Sequence, residues 1–263
     1  MKDVNQNKLK QAKIYPFLEK YKGFSPNLFI FEEIDSTNTY LLNNYSGDGI
    51  CICTAESQTK GRGRGSKRWE SPKYENIYLS LSFITSLKLK DFSSFSLVVG
   101  ISLAEVLNSY GFESKLKWPN DIFLNGKKVG GILVETKEVN SRLLVVVGIG
   151  LNIKMQLNDD IDREWTSLTI EKPKLNIDRN NLIIEIVNNL QSFIPKFEAE
   201  GFNYFVDSFN KLNFLYGKQI FSENISDEPG VAGDVNEDGT LNINFISKQM
   251  KIGSGEVSVK FKK

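Results

Sequence analysis

The chain has 263 residues, 33 Lys and Arg against 32 Asp and Glu, two Cys, no His and 40% apolar residues, enough for one large domain or one large and one small. A net charge of +1 excludes a whole-molecule basic field that would draw the protein onto nucleic acid or anionic lipid, so any anion site has to be local. The absence of histidine excludes Ser-His and Cys-His nucleophilic dyads, the usual zinc enzymes and imidazole acid–base chemistry. An enzyme built from this chain works with Lys, Arg, carboxylates, backbone amides or a borrowed metal.

Residues 1–26 are polar and lysine-rich and read as a lead-in too short for a separate folded domain. The first eight residues are not backed by the apolar segment of a signal peptide, and no window approaches the ~18 apolar residues of a membrane span, so a cytoplasmic location without a membrane partner is expected. A strand is predicted at 28–31, and Asp35-Ser-Thr-Asn38 supplies capping residues for a helix entering at Tyr40. In the next strand, 50–55, Cys51 and Cys53 share one face while Ile50 and Ile52 take the other. Such neighbours are poorly placed for a disulfide, and no further Cys or His exists to complete a metal site. Buried thiols in a reducing compartment follow.

Ile77, Leu79, Leu81 and Phe83 alternate with Tyr78, Ser80 and Ser82, the period of a half-buried strand. The three- and four-residue steps from Phe95 to Leu107, with Gly111 as a C-terminal cap, predict a helix over 93–110. Strands follow at 121–124, 129–135 and 143–153, the first two joined by the hairpin signal Asn125-Gly126. An amphipathic helix is predicted over 177–197. After Gly217 short β-like runs (218–221, 230–236, 241–245, 255–261) are separated by turn residues such as Glu237-Asp-Gly239, and they predict a small, barrel-like β domain of about 45 residues. The fold class read from this order is α+β, a mixed sheet with packed helices over 1–216 followed by a small β domain over 217–263.

Chemistry concentrates in three places. Lys60-Gly-Arg-Gly-Arg-Gly-Ser-Lys-Arg-Trp69 holds five cations and three glycines in ten residues, a composition suited to a loop that folds around a phosphate or pyrophosphate and is mobile without one. A solvated basic loop and a single-stranded nucleic-acid contact are the alternatives. No helix with dinucleotide-binding or Walker spacing follows, so those motifs are excluded. In Lys115-Leu-Lys-Trp-Pro-Asn-Asp121 the Pro119 turn delivers Asn120 and Asp121 to a strand entrance, or forms an ordinary Asx turn, and a hairpin would bring Lys128 near Asp121. In Gly148-Ile-Gly-Leu-Asn152 the alternate glycines bare one strand face, for a flat ligand or for close packing of a neighbouring element.

Asp35-Ser-Thr-Asn38, Gln58 ahead of Gly61-Arg-Gly-Arg64 and Trp69, Lys117-Trp-Pro-Asn-Asp121, Lys128-Val-Gly-Gly-Ile132 and Gly148-Ile-Gly-Leu-Asn152 occur in the order and spacing of biotin protein ligases. The chain resembles that family over residues 28–260, and Gly255-Glu-Val-Ser258 resembles the SH3-like domain that ends its members. The resemblance implies a class II synthetase-like catalytic domain, with ATP and biotin as substrates and Mg²⁺ as cofactor. It also implies formation of biotinyl-5′-AMP and transfer to a lysine of a biotin carboxyl carrier protein domain, that of acetyl-CoA carboxylase or a related carboxylase.

By the same resemblance Ser36, Thr37, Asn38, Gln58, Gly61, Arg62, Gly63, Arg64, Lys128, Gly131, Gly148 and Gly150 border biotin. Arg64, Lys67, Trp69, Asn120, Asp121 and Asn152 border the nucleotide, Arg62, Arg64, Lys128 and Asp121 serve catalysis, and Asp121 faces the metal. The family usually continues the loop with a later glycine and arginine; Ser66 and Lys67 stand there instead, which keeps the charge and loses a bidentate fork. The helix-turn-helix of repressor members is not expected, nor is sequence-specific DNA binding, while a homodimer stays open. The rival readings are a lipoate or octanoate protein ligase, an adenylate-binding pseudoenzyme and a non-enzymatic nucleic-acid binder using the Gly-Arg loop.

Overall fold

Alternation along the strands divides the apolar residues between two faces, and the architecture follows from that division. The computed structural model describes residues 8–45, 47, 49–156, 164–222, 226–254 and 260–261. In chain order it contains α1 (Gln11–Ile14), β1 (Asn27–Phe31), α2 (Thr37–Asn44), β2 (Cys51–Ala55), β3 (Ile77–Thr85), α3 (Phe95–Ser109), β4 (Lys115–Lys117), β5 (Asp121–Leu124), β6 (Lys127–Val139) and β7 (Arg142–Leu151). Then come α4 (Leu168–Glu171), α5 (Arg179–Glu200), α6 (Val206–Leu212) and strands β8 (Gln219–Ser222), β9 (Ser226–Val235), β10 (Leu241–Asn244), β11 (Gln249–Ile252) and β12 (Lys260–Phe261).

The first seven strands form one sheet in the order β1-β2-β3-β7-β6-β5-β4. Only β1 and β2 run parallel; the other neighbours are antiparallel, so the sheet is mixed as expected. On one face Ile52, Ile77, Leu79, Leu81, Phe83, Val145, Val147 and Ile149 pack under α3 and α5 in the main core. On the other, Cys51, Cys53, Leu144 and Val146 form a smaller cluster under Leu41 of α2. The two cysteines are free and buried on the face opposite Ile50 and Ile52, as their spacing predicts. The segment Leu89–Ser109 is long and apolar enough to cross a membrane by length and composition, but 72% of its apolar window is buried, because α3 is the central core helix.

Residues 8–26 are less of a free lead-in than their polarity suggests. Leu9 and Ile14 are buried, and the Leu9 amide donates to Glu56 at 2.7 Å while the Lys10 amide donates to Asn180 at 2.9 Å. Glu56 in turn accepts from Arg179 at 2.7 Å in an ion pair with both side chains at most 1% exposed. This pair fixes the end of β2 just before Gln58. Beyond residue 218 the strands form a separate five-stranded antiparallel sheet, β11-β10-β9-β8-β12. The Gly255–Ser258 motif lies outside the described residues.

Candidate active site

The register of β3, β7 and β6 builds the floor of the site. Opposed residues of antiparallel neighbours share a face, so Tyr78, Gly150 and Gly131 form one row and Ser80, Gly148 and Leu133 the next. Further along the same face stand Ser82, Val146 and Glu135. The glycines leave a depression where Leu144 and Val146 have already filled the space under α2. A cavity of about 430 Å³ opens there, lined by every residue the resemblance assigns except Gly61, which borders an outer groove on the far side of the Gly-Arg loop.

Both readings of the glycine strip are realised at once. A Cβ at Gly148 would stand 2.3 Å from the Asn38 amide oxygen, and one at Gly150 would stand 2.4 Å from the Trp69 indole. The neighbours that pack there are therefore themselves walls of the cavity. The Trp69 indole N–H is buried with no hydrogen-bond partner among the described residues.

Ser36 is the N-cap of α2, its hydroxyl accepting from the Thr39 amide, which turns the first residues of the helix toward the cavity. The Thr37 amide donates to Gln58 Oε1 at 3.0 Å, and Gln58 Nε2 donates to the Ser71 hydroxyl at 3.2 Å. Because Asn38 Oδ1 can only accept, the Ser80 hydroxyl donates to it at 2.6 Å, and Asn38 Nδ2 then donates to Glu135 at 2.9 Å. Ser71, Ser80 and Glu135 are absent from the residues singled out by sequence. The signal that could have found Ser80 and Glu135 is the alternation that puts them in line with Gly148 and Gly131.

Backbone hydrogen bonds and a left-handed glycine shape the Gly-Arg loop. Gly63 donates to the Lys67 carbonyl at 2.7 Å, Trp69 donates to the Gly61 carbonyl at 3.0 Å, and Gly65 turns the chain at φ +61°. A Cβ at Gly61 would meet the Trp69 carbonyl at 2.4 Å, so that glycine serves loop closure. Arg62 pairs with Glu135 at 2.7 Å, which means the protein's own acid answers part of the charge that a bound anion was expected to supply. Lys67 is exposed at the rim.

Across the cavity, Lys128 pairs with Asp121 over the β5–β6 hairpin and sits 5.3 Å from the centre of the Trp69 ring. Arg64 donates to Asn120 Oδ1 at 3.4 Å and to the Ser254 carbonyl. Burial pushes the Arg64 pKa below its ordinary value, while the Asp121 carboxylate acts in the opposite sense. Asn152 is buried, its side-chain amide donating to the Thr166 carbonyl at 3.1 Å. Arg62, Arg64, Lys128, Asp121, Asn120 and Asn152 thus converge beside a pocket floored by glycine. That arrangement can hold two anions together and exclude water, and it contains no nucleophile poised by a base.

Residues 30–152 match the sequence model of the biotin/lipoate A/B protein ligase family. That stretch carries the family's domain. The chain is 37% identical over 191 residues to the bifunctional ligase/repressor BirA of Escherichia coli, covering 69% of this chain and 58% of that protein. It is 27% identical over 241 residues to the biotin–[acetyl-CoA-carboxylase] ligase of Mycobacterium tuberculosis, covering 88% of each. The solved structure of biotin protein ligase from Aquifex aeolicus in complex with biotin and ATP superposes with a TM-score of 0.77 at 27% identity, covering 90% of this chain and 99% of that one. The chain spans about three fifths of the length of the Salmonella typhimurium and Escherichia coli ligase/repressors, 61% and 58%.

Proposed function

We propose that the chain activates biotin with ATP as biotinyl-5′-AMP and transfers the biotinyl group to a lysine of a biotin carboxyl carrier domain, that of acetyl-CoA carboxylase or a related carboxylase. The observation that carries this reading is the gathering of five sequence-separated motifs around one cavity, with cations at one end and a polar, glycine-floored pocket at the other. Similarity to proteins named biotin–protein ligases supports the substrate.

In this reading a biotin carboxylate oxygen attacks the α-phosphorus of ATP, the bond to the β-phosphate breaks and pyrophosphate leaves. The acceptor amine then attacks the acyl carbon of the mixed anhydride and AMP leaves. No protein nucleophile is required, in keeping with a chain without histidine. Ser36, Thr37, Asn38 and Gln58 offer hydrogen bonds to the biotin rings over Gly148 and Gly150. Arg62, Arg64 and Lys128 offset the repulsion of the two anions and stabilise charge as it moves between them. Trp69 closes the apolar side, and Asn120 and Asn152 face the nucleotide.

Among the described residues no group of three or more Cys, Asp or Glu side chains gathers to hold a metal. Of the two carboxylates that line the cavity, Glu70 and Asp121, it is Asp121, beside Asn120 and Lys128, that fits a magnesium ion arriving on nucleotide phosphates, since Mg²⁺ commonly takes one or two carboxylates, waters and substrate phosphates. Bound there, the ion would neutralise triphosphate charge; Asp121 would hold it, and Lys128 keeps that carboxylate oriented.

Two measurements test the proposal. Exchange of labelled pyrophosphate into ATP is expected to require biotin, and a carrier domain incubated with the protein, biotin and MgATP is expected to gain the mass of one biotinyl group. Equal exchange with lipoate would move the substrate to the other branch of the family, and no exchange with either would remove the activity.

A further inference from the structure

We propose that Glu135 is a positioning residue whose carboxylate ties Arg62 of the Gly-Arg loop to Asn38 of α2 and so holds the loop across the cavity. Glu135 belongs to none of the motifs that carry the family resemblance. It stands on β6 on the site face, four residues beyond Gly131, and one of its oxygens, Oε2, accepts from both Arg62 Nη2 at 2.7 Å and Asn38 Nδ2 at 2.9 Å. Such shared acceptance fixes two donors relative to each other, and hydrogen bonds from a cation to a carboxylate are stronger than neutral ones.

Three further observations support the assignment. The groove on the outer side of the loop is lined by Lys60, Arg62, Arg64, Lys67 and Arg68, with Glu135 as its one acid, so this carboxylate opposes the mutual repulsion of the loop cations. Asn38 cannot adjust freely: Ser80 fixes its carbonyl oxygen at 2.6 Å, and its amide rests where a Cβ at Gly148 would clash. The hydrogen-bonded path from Glu135 also continues to the other end of the loop. Ser80 Oγ lies 2.7 Å from Thr37 Oγ1, the Thr37 amide donates to Gln58, Gln58 donates to Ser71, and Ser71 donates to the Trp69 carbonyl at 3.0 Å. Arg62 and Trp69, the two feet of the loop, are thus anchored to one buried network, and Glu135 is its charged terminus. The consequence for biotin rests on the ligase reading: a loop released from Glu135 binds biotin more weakly.

The loop carries its own probe, because Lys60, Arg62, Arg64, Lys67 and Arg68 are trypsin sites and cleavage follows the population of the open loop. Limited trypsinolysis of the protein without added ligand, with cuts at these five positions counted by mass spectrometry, compares wild type with Glu135→Gln and with Glu138→Gln, an exposed acid farther along the same strand. Glu135→Gln is expected to speed loop cleavage roughly 3- to 10-fold, the range for a part-exposed charged hydrogen bond. Glu138→Gln is expected to leave the rate unchanged, and Glu135→Gln is expected to add nothing in an Arg62→Gln background. In biotin-dependent exchange, KM for biotin is expected to rise by at least a similar factor, and the rise is expected to be absent in Glu138→Gln. Equal cleavage of Glu135→Gln and wild type, or equal acceleration by Glu138→Gln, would overturn the proposal. Failure of the wild-type protein to exchange at all would remove the ligase reading while leaving the trypsin comparison decisive for Glu135.

Discussion

Adding a single methyl group at Gly150 tests whether the bare strand face exists to seat Trp69. Gly150 lies inside β7 with an ordinary extended backbone, so alanine meets no conformational objection. The obstacle is the indole: the new Cβ would stand 2.4 Å from Trp69 Cε2 and 2.6 Å from Cζ2 and from Nε1. Normal carbon contacts begin near 3.5 Å, so the ring must retreat by about 1 Å at three atoms together. Its retreat is opposed by Lys128, whose ammonium stands 5.3 Å from the ring centre. Overpacking of this kind costs about 1–3 kcal/mol, and in a chain of this size each kcal/mol lowers Tm by roughly 2–4 °C. The retreat also strains the Trp69 to Gly61 hydrogen bond that closes the loop. Thermal unfolding and KM for biotin read the two effects. Repeating the substitution in a Trp69→Ala background isolates them, since the three atoms nearest the new Cβ all belong to the indole and alanine at 150 is then expected to cost much less. A loss below about 0.5 kcal/mol in Gly150→Ala, or the same loss with and without the indole, would refute the steric account.

Lys128→Met keeps the aliphatic stem and leaves Asp121 without its counterion; single-turnover adenylation is expected to slow by ~10² to 10³-fold in a folded protein, and an unchanged rate would retire the catalytic role. Glu32 pairs with Lys8 at 2.7 Å and Lys73 at 2.9 Å and accepts from Tyr74. The Lys8, Tyr74 and Lys73 hydrogen bonds lower its pKa from 4.5 to about 2. Because the folded pKa is depressed, the contribution is complete above pH 4.5 and is lost as the pH falls toward 2; urea midpoints across that interval should show a weaker acid dependence in Glu32→Gln. Burial pushes the Cys53 thiol well above its ordinary pKa, and Cys51 and Cys53 are both fully buried. Alkylation of the native protein at pH 8 is therefore expected to follow global unfolding, and fast labelling without denaturant would contradict the packing.

What the sequence made legible is what short periods encode. The alternation over Ile77–Phe83 and the alternate glycines at 148 and 150 separated the site face from the core face, and the three- and four-residue steps of α3 placed the core helix to within two residues of its observed ends. β4 escaped because three residues, Lys115–Lys117, are too few to show a period. The role of residues 8–26 was hidden for a different reason. Leu9 and Ile14 are isolated among polar neighbours, and their burial depends on α5 and Glu56, which are remote in sequence. Arg179 looks like a surface cation at a helix start, yet it is fully buried because Glu56 and the Asn76 carbonyl meet it from other strands. Glu135 lay in plain sight, one acid among several on β6. Alternation from Gly131 puts it on the site face and Glu138 on the other, but only the register against β7 and the position of Asn38 show what it meets.

Two positions beyond the first sheet, Gly239 and Ser254, reach toward the site, and they give Arg64 a place in the fold as well as in the cavity. The Trp118 indole N–H, beside Asn120 and Asp121, donates to the Gly239 carbonyl at 3.0 Å. A Cβ at Gly239 would strike Ser94 at 2.5 Å, so the Glu237-Asp-Gly239 turn fits tightly against the entry to α3. Near β11, Ser254 gives its hydroxyl to the Ser93 carbonyl at 3.1 Å and its own carbonyl to Arg64. Arg64 therefore spends its donors on two masters, Asn120 on the first sheet and Ser254 beyond the second. A guanidinium has five N–H groups in a fixed plane, so an anion that draws it into the cavity must keep or break the Ser254 contact as one geometric event. The position of the second sheet and the charge presented to the cavity are coupled through that side chain, without any residue of β8 to β12 having to touch a ligand.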